Sequence, residues 1–375
     1  MKKWKIQLSK PWYSECELRR IEVVLKSSCW AGTCPWVEEY EKKFAATVGT
    51  KYAIAASSCT SALHAALLSV GVKQGDEVIV SDFSFPATAL SVMYCQAKPV
   101  FADIKLDTFC VQPDSIREKI TDKTKAIIPV NQFGMPCDID EIIEIAEEND
   151  LRIVWDSATG LGSEYKKKKQ GSFEDVECFS SFPTKNISTG EGGMITTNDE
   201  EIASVARSII HFGKEKTKAG VKFTRVGYNY RLSAIQAAIG TCQLEKLPVF
   251  ISERKKLVQY YKKRISEEFS HAATDKWLVP QHEPEDRTSA WQRFVCLTKH
   301  RDDIIVHMEK YGIECSDGNY AQHMIDFLNG DKCENSAFAF YHALSLPLYY
   351  GMTFEDVDYV IEALKDFFLS SPPFP

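Results

Sequence analysis

The chain has 375 residues, 44% hydrophobic and 26% charged, and its 45 Lys and Arg against 52 Asp and Glu leave a formal net charge of −7. That length exceeds what one ordinary core organises and predicts a large domain with a smaller partner, while the composition excludes disordered and fibrous classes. The negative balance excludes a broad electrostatic footprint for nucleic acid or an anionic membrane, so any anionic ligand must be held by local groups.

In chain order, the basic start MKKWKIQLSKPW lacks the apolar core of a signal peptide, and no later stretch approaches the ~18 apolar residues of a membrane span. A cytoplasmic location is the resulting expectation. From about residue 51 to residue 199, short β-rich runs alternate with helical ones, the pattern of an α/β domain around a mainly parallel sheet. Seven strands are expected, at residues 51–58, 77–81, 98–104, 125–132, 151–156, 176–181 and 193–197. Apolar residues at three- and four-residue spacing predict helices over 61–70, 86–96 and 139–149, and the run Lys166 to Lys169 reads as a solvated hairpin tip.

After Gly227 the texture changes to long helices, expected over 233–247 with Ser233 as N-cap and over 251–269, with Pro248 dividing them. A strand at 293–297 and helices at 302–311 and 354–368 complete a smaller α+β domain. The boundary is placed near residue 245, giving a large domain 1–245 and a small domain 246–375. Twelve cysteines are scattered without a CxxC pair, which predicts reduced, mostly buried thiols and neither a zinc site nor a disulfide framework. No metal is expected.

Ligands of a parallel α/β sheet collect at the carboxyl ends of its strands, and three such ends carry unusual polar residues. At Ser57-Ser58-Cys59-Thr60-Ser61 a strand runs straight into a helix whose first amides and hydroxyls suit a phosphate, or serve as an ordinary N-cap. At Asp156 an apolar run ends in a carboxylate followed by small residues, a capping acid or an anion aimed into a cleft. A dinucleotide loop is the competing reading of Gly160-Leu161-Gly162, but Tyr165 stands where the third glycine belongs. At Lys185 an apolar strand leads through Ser180 and Ser181 to a lysine ahead of Gly190-Glu191-Gly192-Gly193. Desolvation at such a place turns a lysine into a Schiff-base nucleophile. Phosphate cradle, acid and lysine together are the three groups that pyridoxal phosphate (PLP) chemistry requires.

The chain resembles the DegT-type (DegT/DnrJ/StrS) sugar aminotransferases of PLP fold type I, nearly end to end. The resemblance is carried by SSCTSALHAAL (57–67), GDEVIVSDFSFPATA (75–89), FGMPCDIDEI (133–142), WDSATGLGSEY (155–165), FSSFPTKNISTGEGGMITTND (179–199), VGYNYRLSAIQAAIGTCQLEKL (226–247) and LSLPLYYGMT (344–353). It implies a seven-stranded mainly parallel sheet in the large domain, with PLP, or its amino form PMP, as cofactor. Lys185 becomes the Schiff-base lysine and acid–base, Asp156 the partner of the ring nitrogen, and Phe85 the aromatic stacked on the ring. Ser180 and the Thr60 and Ser61 amides would hold the phosphate, and Asn229 of GYNYR would reach the phosphate of a neighbouring subunit, implying a homodimer with shared sites. Four positions depart from the family pattern: Cys59 for its glycine, Ser181 for its second aromatic, Thr159 for its Gln or His, and Asn131-Gln132 ahead of Phe133-Gly134 where a His is usual. Thr159 keeps a hydroxyl for the cofactor's phenolic oxygen.

The activity implied is transfer of an amino group from glutamate or glutamine to a nucleotide-linked keto-sugar, with a 4-keto-6-deoxyhexose ahead of a 3-keto-sugar. Lys222 and Arg225 are candidates for the sugar nucleotide's phosphates, from a loop of the partner subunit, and His323 is a candidate on the substrate side. A PLP-dependent sugar dehydratase would carry His at the lysine position, and a non-catalytic PLP-binding regulator would lose the lysine or the acid. Lys185 and Asp156 argue against both.

Overall fold

The computed structural model describes residues 4–370 apart from 174, 219, 270–277 and 329. Its central sheet contains β1 (Tyr52–Ala56), β2 (Glu77–Ser81), β3 (Lys98–Ala102), β4 (Thr124–Ile128), β5 (Arg152–Asp156), β6 (Val176–Ser180) and β7 (Gly193–Thr197). They lie in the order β1-β7-β6-β5-β4-β2-β3. Strands β2 to β6 run parallel, and β7 is antiparallel to both β6 and β1. All seven expected strands are present, each within a few residues of its expected ends.

The β-branched runs pack on both faces because successive side chains alternate across a strand. Ile79, Ile127 and Ile153 enter one core with Ile142 and Ile145 of α5 (Ile139–Glu148). Their neighbours Val78, Val80, Ala126, Ile128 and Val154 enter the other, against Ala62, Leu63 and Ala66 of α3 (Cys59–Ser69) and Val92 of α4 (Ala87–Tyr94). The large body also carries α1 (Glu15–Lys26), α2 (Pro35–Val48), α6 (Glu200–Ile210) and a short helix at Pro113–Glu118.

The α+β region carries a four-stranded antiparallel sheet in the order Val279–Pro280, Phe294–Leu297, Ala343–Leu346, Ser316–Asp317. Helices α8 (Arg301–Lys310) and α9 (Phe354–Ser370) lie with it. The amino-terminal segment joins this region: Ile6 bridges Ile313, and the Leu348 amide donates to the Leu8 carbonyl at 3.1 Å. No described helix is long and apolar enough to cross a membrane.

Two expectations are corrected. The helices expected on either side of Pro248 are one element, α7 (Ala234–Phe269). A proline inside a helix forfeits one backbone bond, a cost of about 3 kcal/mol, but buried residues from Ala234 to Phe269 secure α7 along both halves. Nor are all the cysteines thiols. Cys16 of α1 is bonded to Cys242 of α7, and Cys29 to Cys34 in the α1–α2 loop. The first pair lies 226 residues apart, and only the packing of α1 on α7 brings it together. The other eight are free, seven of them buried.

Candidate active site

Sheet register assembles the site. Ala56 at the end of β1 pairs with Gly193 at the start of β7, and Gly193 pairs with Ser180 at the end of β6. One strand further, Asp156 at the end of β5 pairs with Cys178. Reversal of β7 therefore brings its amino end to the edge where β1, β5 and β6 finish. Segments from the start and the middle of the chain thus share that edge.

From β1 the chain turns into α3 through a reciprocal cap. The Ser61 amide donates to Ser58 Oγ at 3.1 Å, and the Ser58 amide to Ser61 Oγ at 3.0 Å. Among the described residues, the Cys59 and Thr60 amides have no protein acceptor. They are the positive end of an 11-residue helix, a place suited to an anion. Of the two amides expected to hold a phosphate, Thr60's is free and Ser61's is spent on the cap; the Cys59 amide is available in its place. Gly193 lies flush against this turn, because a Cβ there would come within 2.3 Å of the Ser58 carbonyl oxygen and 2.7 Å of the Cys59 nitrogen.

Asp156 is buried, and its carboxylate is held from both sides. Thr88 Oγ1 donates to Oδ2 at 2.8 Å and the Ala158 amide to Oδ1 at 3.1 Å. Burial pushes its pKa up, while Thr88, the Ala158 amide and the charge of Lys185 pull it back. Thr88 was not foreseen; it lies on α4 one turn beyond Phe85, in a segment read only as helix. Phe85 follows the short strand Phe83–Ser84, is 61% exposed, and meets Tyr320 edge-to-face at 6.2 Å.

Lys185 closes a turn whose amide bonds the Phe182 carbonyl at 2.9 Å. Its neighbours fix it in place: Gln292 Nε2 donates to the Thr184 carbonyl at 2.7 Å, and Asn186 Nδ2 to the Leu161 carbonyl at 3.1 Å. Burial lowers the Lys185 pKa to about 8 from its ordinary 10.5, helped by the Arg293 cation and opposed by Cys59 and Asp156. Asp156 and Cys59 thus both lie within electrostatic reach of the amine.

A depressed lysine, a buried acid without a cationic partner among the described residues, and a free helix end on one sheet edge match the donor set of a PLP site. A match to the model of the DegT/DnrJ/EryC1/StrS aminotransferase family extends over residues 12–365. The chain belongs to that family. The aminotransferase is 36% identical over 336 residues to the GDP-perosamine synthase of Caulobacter vibrioides, a match covering 88% of this chain and 89% of the relative. To the spore coat polysaccharide biosynthesis protein SpsC of Bacillus subtilis it is 33% identical, with 96% of each chain covered. A Streptococcus pneumoniae protein assigned as a sugar aminotransferase, solved in its PMP form, superposes with a TM-score of 0.88 at 28% identity over 96% of both chains.

The remaining expected residues of the aminotransferase lie apart from Lys185 or are already engaged. Thr159 Oγ1 donates to the Asn131 carbonyl at 2.6 Å, so its proton is spent within the protein. The Ser180 hydroxyl accepts from the Phe182 amide at 3.3 Å. Asn229 is exposed on the strip before α7, bridged through its backbone to His211. His64 of α3 supports that strip by bonding Tyr230 at 3.1 Å between Nδ1 and the phenol oxygen. Lys222 is exposed on the hairpin of Lys214–Thr217 and Gly220–Phe223, and Arg225 pairs with Glu215 of the same hairpin at 2.5 Å. His323 Nδ1 donates to the buried Asp82 Oδ2 at 2.6 Å, which stitches the segment around Tyr320 to the end of β2.

Proposed function

We propose that this aminotransferase uses PLP to move an amino group from glutamate or glutamine to a nucleotide-linked keto-sugar, a 4-keto-6-deoxyhexose above others. The observation that carries the reading is Lys185, a half-buried amine with its pKa near 8, on the sheet edge that also holds Asp156 and the free α3 amides. The similarity to a GDP-perosamine synthase and a polysaccharide biosynthesis protein supports the substrate class.

The residues present fit the cofactor. Asp156 is a desolvated carboxylate with hydrogen bonds but, among the described residues, no ion pair, which suits a protonated ring nitrogen. The Cys59 and Thr60 amides, with the Thr60 and Ser180 hydroxyls, would take the phosphate, and the exposed face of Phe85 would cover the ring. Bound there, the cofactor supplies an electron sink for the bonds at the substrate carbon. Lys185 Nζ is the proton carrier in both directions. With a pKa of about 8, about half of such amines are neutral at pH 8, against well under 1% of ordinary lysines. Thr88 keeps Asp156 oriented and partly compensates its burial.

A homodimer belongs to the same reading. Val221, Phe223 and Val226 are 60%, 68% and 78% exposed on or just after the hairpin that precedes Asn229, an apolar edge suited to a second copy of the chain. Lys222 and Arg225 on that element would then face a neighbour's substrate phosphates.

The test is conversion of a panel of nucleotide-linked 3-keto and 4-keto sugars with glutamate and PLP, followed by mass spectrometry. Lys185→Ala should lower multiple-turnover transamination by about 10⁴-fold. Undiminished turnover by that variant removes the mechanism. Conversion confined to 3-keto members removes the preferred substrate and keeps the reaction.

A further inference from the structure

Two guanidinium groups lie close to Lys185, and among the described residues neither has a carboxylate within ion-pair distance. Their surroundings differ. Arg254 on α7 is buried, and its Nη1 donates to the carbonyls of Trp291, Gln292 and Leu348 at 3.3, 3.2 and 2.9 Å. It clamps three backbone oxygens and has a structural task. Arg293 has one such bond, from Nη1 to the Gly318 carbonyl at 2.8 Å, and the rest of its fork has no protein acceptor among the described residues.

Arg293 directly follows Gln292, whose side chain is bonded to Thr184, the residue before Lys185. It lines a small cleft with Ser9, Thr184, Gln292, Leu346 and Leu348. Among the described residues, none that lines the cleft is acidic. Asp317, whose charge raises the Arg293 pKa, stands beyond ion-pair distance, and burial pushes the guanidinium below its ordinary range. Holding an unpaired cation here is unfavourable and also disfavours the charged form of Lys185. An incoming anion would relieve both costs. A planar fork with free N–H groups matches a carboxylate in two parallel hydrogen bonds, and an α-amino acid carries its carboxylate one carbon from the nitrogen it gives up.

We propose that Arg293 is the carboxylate-binding residue of the site, receiving the α-carboxylate of the amino donor. The inference rests on the aminotransferase reading of Lys185 and deepens it by assigning the donor's place. A carboxylate on the sugar would present the same chemistry, so the two half-reactions must be measured separately.

The experiment uses PLP-loaded protein, the wild type and the variants Arg293→Gln and Arg293→Lys. Binding of maleate, a dicarboxylate with no amine to transfer, is followed by calorimetry, and each half-reaction by absorbance in a single turnover. Arg293→Gln should weaken maleate binding and raise the half-saturating glutamate concentration by about tenfold to a hundredfold, with a much smaller change in the saturating rate. The sugar's half-saturation should stay within about twofold of the wild type's. Arg293→Lys keeps the charge, loses the fork and should fall between the two; it also decides the matter if the glutamine variant does not fold. Wild-type affinities in both variants would overturn the proposal, as would an effect on the sugar half-reaction alone. Absence of any donor-dependent spectral change in the wild type would instead sink the aminotransferase reading.

Discussion

The two ends of the site are built from different materials. At the end proposed for the phosphate, the groups on offer are mainly backbone amides of α3, held by a serine cap and by a glycine too close for any side chain. At the proposed donor end they are side chains: Arg293, just before a strand of the small sheet, in a cleft shared with residues 8 and 9 of the other terminus and with Thr184, the residue before Lys185. Backbone constructions depend on local sequence and so leave a motif. Side-chain constructions depend on which distant elements meet, and they leave none.

That contrast can be pressed hardest at Gly193. Substitution by Ala puts a Cβ against the Ser58 carbonyl and the Cys59 amide, both backbone and unable to step aside. We expect a loss of about 2 kcal/mol in stability, read as a lower thermal midpoint. PLP retention should fall more than maleate affinity of the protein that remains loaded. Equal losses at both ends would show that the two are not separable.

A smaller effect is expected from Thr88→Val. It removes the hydroxyl that donates to Asp156 Oδ2 at 2.8 Å and leaves a buried acceptor with one bond fewer. The cost is about 1–3 kcal/mol in the charged carboxylate, so the Asp156 pKa should move further up. Activity should then depend more strongly on pH on the acid side, with the rate falling as the acid takes up a proton. An unchanged acid limb of the rate profile would show that Thr88 does not tune the carboxylate.

Much of the fold was legible because its signals are local. The apolar runs Val78-Ile79-Val80 and Ile153-Val154-Trp155 are buried on both faces and announce central strands. Asp156 and Lys185 stood out because each follows such a run, at the end where ligands collect. Helix α1 escaped notice although Ser14 and Glu17 form a capping box, a spacing that could have revealed it; only Glu17 and Val24 of its residues are buried, so the apolar stripe is thin. The Cys16–Cys242 bond, the Thr88 contact to Asp156 and the nearness of Arg293 to Lys185 were invisible for one reason. Each joins residues from 68 to 226 positions apart through packing that no spacing encodes.

The central claim is that Lys185 is the amine that engages the cofactor, and reductive trapping tests it most directly. Protein mixed with PLP is treated with borohydride across a pH series, digested, and mapped by mass spectrometry. Because its pKa lies near 8 and not at the ordinary 10.5, Lys185 should be the dominant labelled residue, with an initial rate that rises about fiftyfold from pH 6 to pH 8 and levels off above pH 9. Label spread over the exposed lysines, with the Lys185 peptide unmodified, would contradict the account.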